Sequence, residues 1–218
     1  MALSGGVHIL VKDVDELNGL RRAVVFYNPT DTTAEASLDL RDADLSGITA
    51  VRNVFDRQDE PLPADNRLRV SVPRHGCRIY LLTATRRLDR QRYEAETAYI
   101  TAYQELWNNQ ARGTGVYEYD PQCSSGMKAT WLGRSPQNDL QWRNVYVRKG
   151  GKRTLTFRCL SSEEREFTLS VNGRDVKTFR VEGNASVSVE VKMSRGNNTI
   201  RLHNDTAPMP DIDCMTME

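Results

Sequence analysis

The chain has 218 residues, enough for one or two domains at roughly 100–200 residues each. Its 30 basic and 29 acidic residues leave a net charge of +1, and a cut at Gln91 puts 13 of each sign before it, so neither half carries the electrostatic footprint of a nucleic-acid or membrane-surface binder. With 39% hydrophobic and 27% charged residues and no apolar run near the ~20 residues of a membrane span, the composition suits thin β layers with one wet face.

Val7, Ile9 and Val11 alternate with their neighbours and open a first set of short strands. Asn18-Gly19 reads as a hairpin turn. Arg22 to Tyr27 is an apolar run closed by the turn Asn28-Pro29-Thr30-Asp31. Ala34, Ala36, Leu38 and Leu40 again have period two, and Val51 to Phe55, Leu68 to Val72 and Ile79 to Leu82 complete about six strands. The polar stretch from Thr85 to Gln91 marks a boundary, giving domains 1–90 and 91–218.

Tyr93-Glu94-Ala95-Glu96 starts a second set: Met127 to Leu132, Leu140 to Val147, Arg153 to Cys159, Phe167 to Val171, Val176 to Val181, Val187 to Val191, Thr199 to Leu202 and Ile212 to Met217. Turns fall at Gly150-Gly151, Asn172-Gly173 and Gly196-Asn197. The reading is all-β: two antiparallel β-sandwich domains of jelly-roll type in tandem. Residues 97–126 form the longest aperiodic stretch, and a loop of that length in a compact domain is often functional.

Glu94 and Glu96, two apart on an expected strand, send both carboxylates to one face; Asp211 and Asp213 repeat the spacing on the last strand. Hard cations such as calcium want six to eight oxygen ligands, which carboxylates from two adjacent strands help to supply. Two solvated strand faces are the competing reading. Tyr99, Tyr103, Trp107, Tyr117 and Tyr119 crowd the aperiodic stretch, where rings can stack on the C–H faces of sugars. Trp131, Trp142 and Tyr146 read as core. Cys77, Cys123, Cys159 and Cys214 show no metal-ligand spacing and are expected to be mostly free, Cys159 as a small apolar core residue. His8, His75 and His203 lie in no triad context, and no nucleophile elbow, phosphate loop or dinucleotide fingerprint occurs.

Residues 92–218 resemble carbohydrate-binding modules of families 35 and 6. The resemblance is carried by Tyr93-Glu94-Ala95-Glu96, Cys123-Ser124-Ser125-Gly126-Met127-Lys128, Val171-Asn172-Gly173, the run Gly196 to Leu202, and Pro210-Asp211-Ile212-Asp213. Residues 7–84 look like the antiparallel β-domain that follows the catalytic barrel in α-galactosidases of glycoside hydrolase family 27, through Val24 to Pro29 and Pro73 to Tyr80.

The resemblance implies a non-catalytic carbohydrate-binding and scaffolding region for galactosides or plant polysaccharide. A catalytic barrel of ~250 residues would be its partner and lies outside this chain. It implies a structural calcium held by Glu94, Glu96 and Asp213. It also implies a sugar site at Tyr117, Ser125, Gly126, Asn172 and Asn204, where Met127 replaces the usual second glycine of the middle loop. A periplasmic or extracellular location follows, and the lack of a signal sequence at Met1 to Gly6 reads as the mark of a piece of a larger protein. The competing reading is purely structural: both sandwiches stabilise the barrel and no sugar site works.

Overall fold

A computed structural model describes residues 2–14, 20–103 and 113–218; the Asn18-Gly19 turn and Trp107 lie outside the described residues. The chain divides into two compact units, residues 1–89 and 90–218. Among the described residues no helix is long and apolar enough to cross a membrane.

The first unit contains β1 (Ala2–Ser4), β2 (Val7–Asp13), β3 (Arg21–Tyr27), β4 (Ala34–Asp39), β5 (Leu45–Asn53), β6 (Gln58–Glu60), β7 (Arg67–Val72) and β8 (Cys77–Arg87). Six of them form an antiparallel sheet in the order β1-β2-β3-β8-β5-β6, and β4 pairs with β7. Alternation does the sorting. Ile9, Val24, Phe26, Val51 and Leu82 point inward and share one core with Leu38 of β4 and Val70 of β7. The expected Asn28 turn is built from the inside. Asn28 is fully buried, its amide donates to Thr32 O and Val72 O (2.8 and 3.0 Å), and its carbonyl accepts from Thr30 N. Val54 and Phe55, expected in a strand, lie in the turn after β5, where Asn53 Oδ1 accepts from Phe55 N and Asp56 N and ends the ladder.

The second unit contains β9 (Arg92–Glu94), β10 (Tyr99–Ile100), β11 (Val116–Tyr119), β12 (Met127–Thr130), β13 (Leu140–Val147), β14 (Gly151–Leu160), β15 (Arg165–Val171), β16 (Arg174–Val181), β17 (Ala185–Met193), β18 (Gly196–His203) and β19 (Asp211–Met217). One sheet runs β10-β13-β18-β15-β16 and the other β11-β12-β19-β14-β17, with β9 beside β19. The sandwich core holds Trp142, Phe157, Phe167 and Phe179; Phe157 meets Phe167 and Phe179 edge-on at 5.8 and 6.2 Å. Trp142 is core as expected. Tyr146 is only half-buried, because a bulge between Trp142 and Val145, with Asn144 at φ 64°, turns it to the outer face. The four cysteines are free thiols, and Cys159 is fully buried in the core.

Asp139 immediately precedes β13, is 2% exposed, and its Oδ2 accepts from Arg201 Nε of β18 at 2.5 Å and from Gln141 Nε2 at 2.7 Å. Burial opposes its charge, but interactions with Thr101, Arg201 and Gln141 prevail and hold the carboxyl below its ordinary range. A carboxyl depressed in the folded state stabilises above its unfolded pKa, and that contribution is lost as pH falls through the folded value. Asp139→Asn is therefore expected to cost about 1–3 kcal/mol near pH 7, with the gap closing below about pH 4. Urea midpoints of both proteins from pH 3 to 7 check this; a gap independent of pH would show that charge is not the cause.

Candidate functional site

The carboxylates gather where the edge of β19 changes partner. β12 pairs with it at Ile212, and β9 takes over at Cys214 to Thr216. On its other side β14 pairs Cys159 with Ile212 and Arg158 with Cys214, so Asp213 has no opposite residue. This bulge aims Asp213 into the protein, where it is fully buried. Glu94, the last residue of β9, stands opposite Cys214. Ligand atoms of Glu94, Asp213 and Cys214 lie within 4.8 Å of one another.

Ser124 joins the two carboxylates: its Oγ is 2.6 Å from Glu94 Oε2 and 2.8 Å from Asp213 Oδ1, and its N–H donates to Asp213 Oδ1 at 3.0 Å. One hydroxyl has one proton and cannot donate to both carboxylates at once. Arg92 Nε donates to Glu94 Oε1 at 2.7 Å, and Arg158 Nη1 to Asp213 Oδ2 at 2.6 Å. Burial pushes the Cys214 thiol up, and Asp213 adds to the shift, so the sulfur stays protonated.

Glu96 is not on the strand. The chain turns into a 3₁₀ segment at Ala95–Thr97 straight after Glu94, fixed by Thr97 Oγ1 donating to Glu94 O at 2.7 Å. The shared face expected for Glu94 and Glu96 does not form. Glu96 instead buries both carboxylate oxygens without a hydrogen-bond partner, and Ser125 Oγ is buried and unpartnered too. Burial pushes the Glu96 carboxyl above its ordinary range, more than the nearby Ser125 hydroxyl lowers it, and the Glu94 charge pushes the same way. Asp211 also stands apart from Asp213, accepting from Thr130 Oγ1 at 2.6 Å and Lys128 Nζ at 2.8 Å. The residues fit a hard cation in part: Glu94, Asp213 and the Ser124 hydroxyl gather their oxygens, and Glu96, outside that group, buries two orphaned ones.

The five expected sugar contacts fall in three places. Tyr117, Ser125 and Gly126 flank the loop between β11 and β12. Tyr117 stacks on Tyr103 (5.8 Å between centroids), donates to Ala98 O at 2.7 Å, and has its phenol pushed up to about 12 by burial. Gly126 has φ 77°, and a Cβ there would touch the Tyr119 ring at 3.5 Å. Asn172 caps the β15–β16 turn at φ 51°, donating to Asn198 Oδ1 at 2.8 Å and accepting from Thr199 N at 2.9 Å. Asn204 lies past the end of β18; its amide donates to Glu166 O and its carbonyl accepts from Thr206 N and Ala207 N. Glu166 and Asn172 are six residues apart on an extended strand, so Asn172 and Asn204 stand roughly 20 Å apart and cannot share one sugar ring.

Trp131, read as core, is 43% exposed at φ 61°, a backbone region that bulky side chains avoid. Buried Asn138 holds it there: Nδ2 donates to Trp131 O (2.7 Å) and Gly133 O (2.8 Å), and Oδ1 accepts from Gly115 N. Arg134 N donates to Ala207 O at 2.9 Å, which ties this turn to the one that Asn204 closes. The signal in the sequence was Gly133, which marks Trp131 as the start of a turn rather than the end of a strand. Ser170, His203 and Asp205 lie in line at 3.2 and 3.0 Å, the order of a hydrolase triad. Ser170 is buried and its hydroxyl donates to Asp175, so the proton is engaged away from the imidazole.

Residues 4–82 match the family described as the alpha galactosidase C-terminal beta sandwich domain. Among solved structures, a family 35 carbohydrate-binding module from Clostridium thermocellum is 27% identical over 58% of this chain and 96% of its own, with TM-score 0.49. The family 35 module from Paenibacillus barcinonensis is 20% identical over 59% of this chain and 98% of its own, with TM-score 0.48. The isomalto-dextranase of Arthrobacter globiformis T6 aligns with 91% of this chain at 16% identity and TM-score 0.54, and the chain spans 35% of that enzyme's length. No curated protein sequence matches. The first unit is thus similar to the α-galactosidase C-terminal sandwich domain, and the chain is a tandem of β-sandwich domains, with the Asp213 cluster and the Trp131 turn as the candidate sites of its second unit.

Proposed function

We propose that the chain is the non-catalytic carbohydrate-binding and scaffolding region of an α-galactosidase-like glycoside hydrolase, working in the periplasm or outside the cell. It would hold a catalytic barrel near galactose-containing or related polysaccharide by raising effective concentration. The observation that carries the reading is Trp131: a large ring kept exposed at a strained φ by buried Asn138, in a turn that Arg134 N joins to the polar turn at Asn204 through Ala207 O. Strain fixed by surrounding bonds is a mark of function. Tyr117, Ser125 and Gly126 would shape a separate loop, since β11–β12 pairing puts Gly126 at the far end of β12 from Trp131, and Asn172, roughly 20 Å from Asn204, would not share a ring with it. Glu94, Glu96 and Asp213 would hold a structural calcium that cross-links β9, β19 and the Ser124 loop; its effect is structural neutralisation of buried charge.

The test is calorimetric titration with galactose, galactomannan and uronic acids at millimolar concentration. At least one is expected to bind, with affinity falling about tenfold or more in Trp131→Ala. Calcium is expected to raise the unfolding temperature. The purely structural reading has its own support, since the amide of Asn172 is engaged by Asn198 and Thr199 and that of Asn204 by Glu166 O and Ala207 N. No heat with any sugar, together with a calcium shift, would select it.

A further inference from the structure

The net charge of +1 hides a local imbalance. The β13–β14 turn and the start of β14 bring Arg148, Lys149, Lys152 and Arg153 to one end of the second sandwich. The β17–β18 turn brings Lys192 and Arg195 to the same end, because Gly151 pairs with Met193 and Val147 with Gly196. The two turns abut: a Cβ on Gly150 would stand 3.0 Å from Arg195 N and 3.2 Å from Met193 O. All of these cations except half-buried Arg153 are exposed.

Buried hydrogen bonds fix this end. Asn198 is 2% exposed; its amide donates to Ser194 O and Gly196 O at 2.9 and 3.1 Å, and its Oδ1 accepts from Ser194 N at 2.9 Å. Arg153 donates to Lys149 O at 3.0 Å and Lys152 O at 2.8 Å, which lays its guanidinium along the first turn. Register sets Lys152 directly opposite Lys192. Like charges facing each other across a ladder oppose stability, so the sheet itself does not account for them. The acids along these strands near the turns are Glu190 and Glu218. Glu190 faces Thr154 and meets Lys152 at 2.6 Å, and Glu218 pairs through its backbone with Thr154. The cations outnumber them, and this end is positive.

We propose that this end of the second sandwich binds acidic polysaccharide, a linear chain of sugars carrying carboxylate or sulfate groups. The choice of a sugar polymer rests on the carbohydrate reading above, and two observations favour it over other polyanions. Residues 148–153 and 192–197 hold none of the exposed large apolar side chains that an anionic membrane would take up. They also hold no aromatic ring on which nucleic-acid bases would stack. The surface is distinct from the Trp131 turn. That turn lies at the end where Leu140 pairs with Leu202, and the length of β13 from Leu140 to Val147, at about 3.3 Å per residue, puts the basic turns roughly 20 Å away. Neighbouring cations meet successive charges along one chain, so the affinity belongs to the polymer and falls with salt, the screening length being about 10 Å at 0.1 M.

The experiment is calorimetric titration of the full 218-residue chain with dextran sulfate, polygalacturonate and neutral dextran, with chelator throughout, at about 20 mM and about 0.5 M salt. At least one charged polymer is expected to bind at low salt and to lose tenfold or more in affinity at high salt, and the pair tells sulfate from carboxylate. Any binding of neutral dextran is expected to be indifferent to salt. The triple variant Lys149→Gln, Lys192→Gln, Arg195→Gln is expected to weaken charged-polymer binding about tenfold. Its unfolding temperature is expected to match wild type, because the three side chains are exposed and the Arg153 and Lys152–Glu190 contacts stay in place. Trp131→Ala is expected to leave charged-polymer binding intact. Four outcomes overturn the inference: equal binding by the triple variant, no binding of either charged polymer, tighter binding of duplex DNA or anionic vesicles, or loss of polymer binding in Trp131→Ala, which would put the acidic sugar in the Trp131 turn. Galactoside binding without charged-polymer binding sinks the basic end alone, whereas charged-polymer binding without any galactoside binding sinks the Trp131 reading alone.

Discussion

Asp213→Ala is expected to lower the stability of residues 90–218 by about 3 kcal/mol, roughly 10 °C in unfolding temperature. Asp213 is fully buried and accepts from Ser124 N and Arg158 Nη1, with the Ser124 hydroxyl shared between it and Glu94. Truncation empties a fully buried position and removes the acceptor of the Ser124 N–H, while the Ser124 hydroxyl keeps Glu94 Oε2 at 2.6 Å. Arg158 suffers less, since its side chain is 42% exposed and can turn to water, which keeps the cost at the low end for a buried pair. The same variant should lose any stabilisation by calcium, because it removes the carboxylate at the bulge. Calorimetry with calcium and with chelator decides: a variant as stable as wild type in chelator would mean that the cluster contributes only when a cation is bound.

Trp142→Ala is expected to cost about 3–5 kcal/mol, the usual range for emptying a core aromatic site. Trp142 is 2% exposed, packs 6.2 Å from Phe157, and donates from Nε1 to Glu94 O at 3.0 Å. That bond joins the core to the backbone turn that places Glu94 and Glu96, so the loss should extend to the carboxylate cluster. Trp142→Phe separates the two contributions. It keeps most of the buried area and gives up one hydrogen bond to a carbonyl that Thr97 Oγ1 still serves, so about 1 kcal/mol is expected. Denaturant unfolding followed by circular dichroism measures both; equal losses in the two variants would show that the hydrogen bond, not the packing, dominates.

The all-β architecture was legible because period-two alternation is a local signal. Ile9 and Phe26 point inward for reasons visible within three residues on either side. Other features depended on a distant partner. Glu96 leaves its strand because Thr97 closes a 3₁₀ turn on Glu94 O, and spacing alone does not show that. Asp213 turns inward because β14 skips a residue opposite it, a bulge set more than fifty residues away in sequence. Trp131 reads as core because it continues an apolar strand pattern; Asn138, seven residues on, bends the chain and exposes the ring. Asn172 and Asn204 both carry turn chemistry, but only the β15–β18 register shows that they mark opposite ends of a strand.

The place of β19 bears on how the protein is made. It lies in the middle of its sheet, between β12 and β14, and receives β9 as well. Glu94 must therefore wait for Cys214 before either reaches its native neighbour. Every strand of the first unit lies before residue 88, so that unit can close on a ribosome while the second is still being synthesised. The second unit can at most collapse loosely until residue 217 has emerged. Its high sequence separation predicts the slower folding of the two, and nascent chains stalled before β19 should carry one protease-resistant sandwich and one sensitive tail.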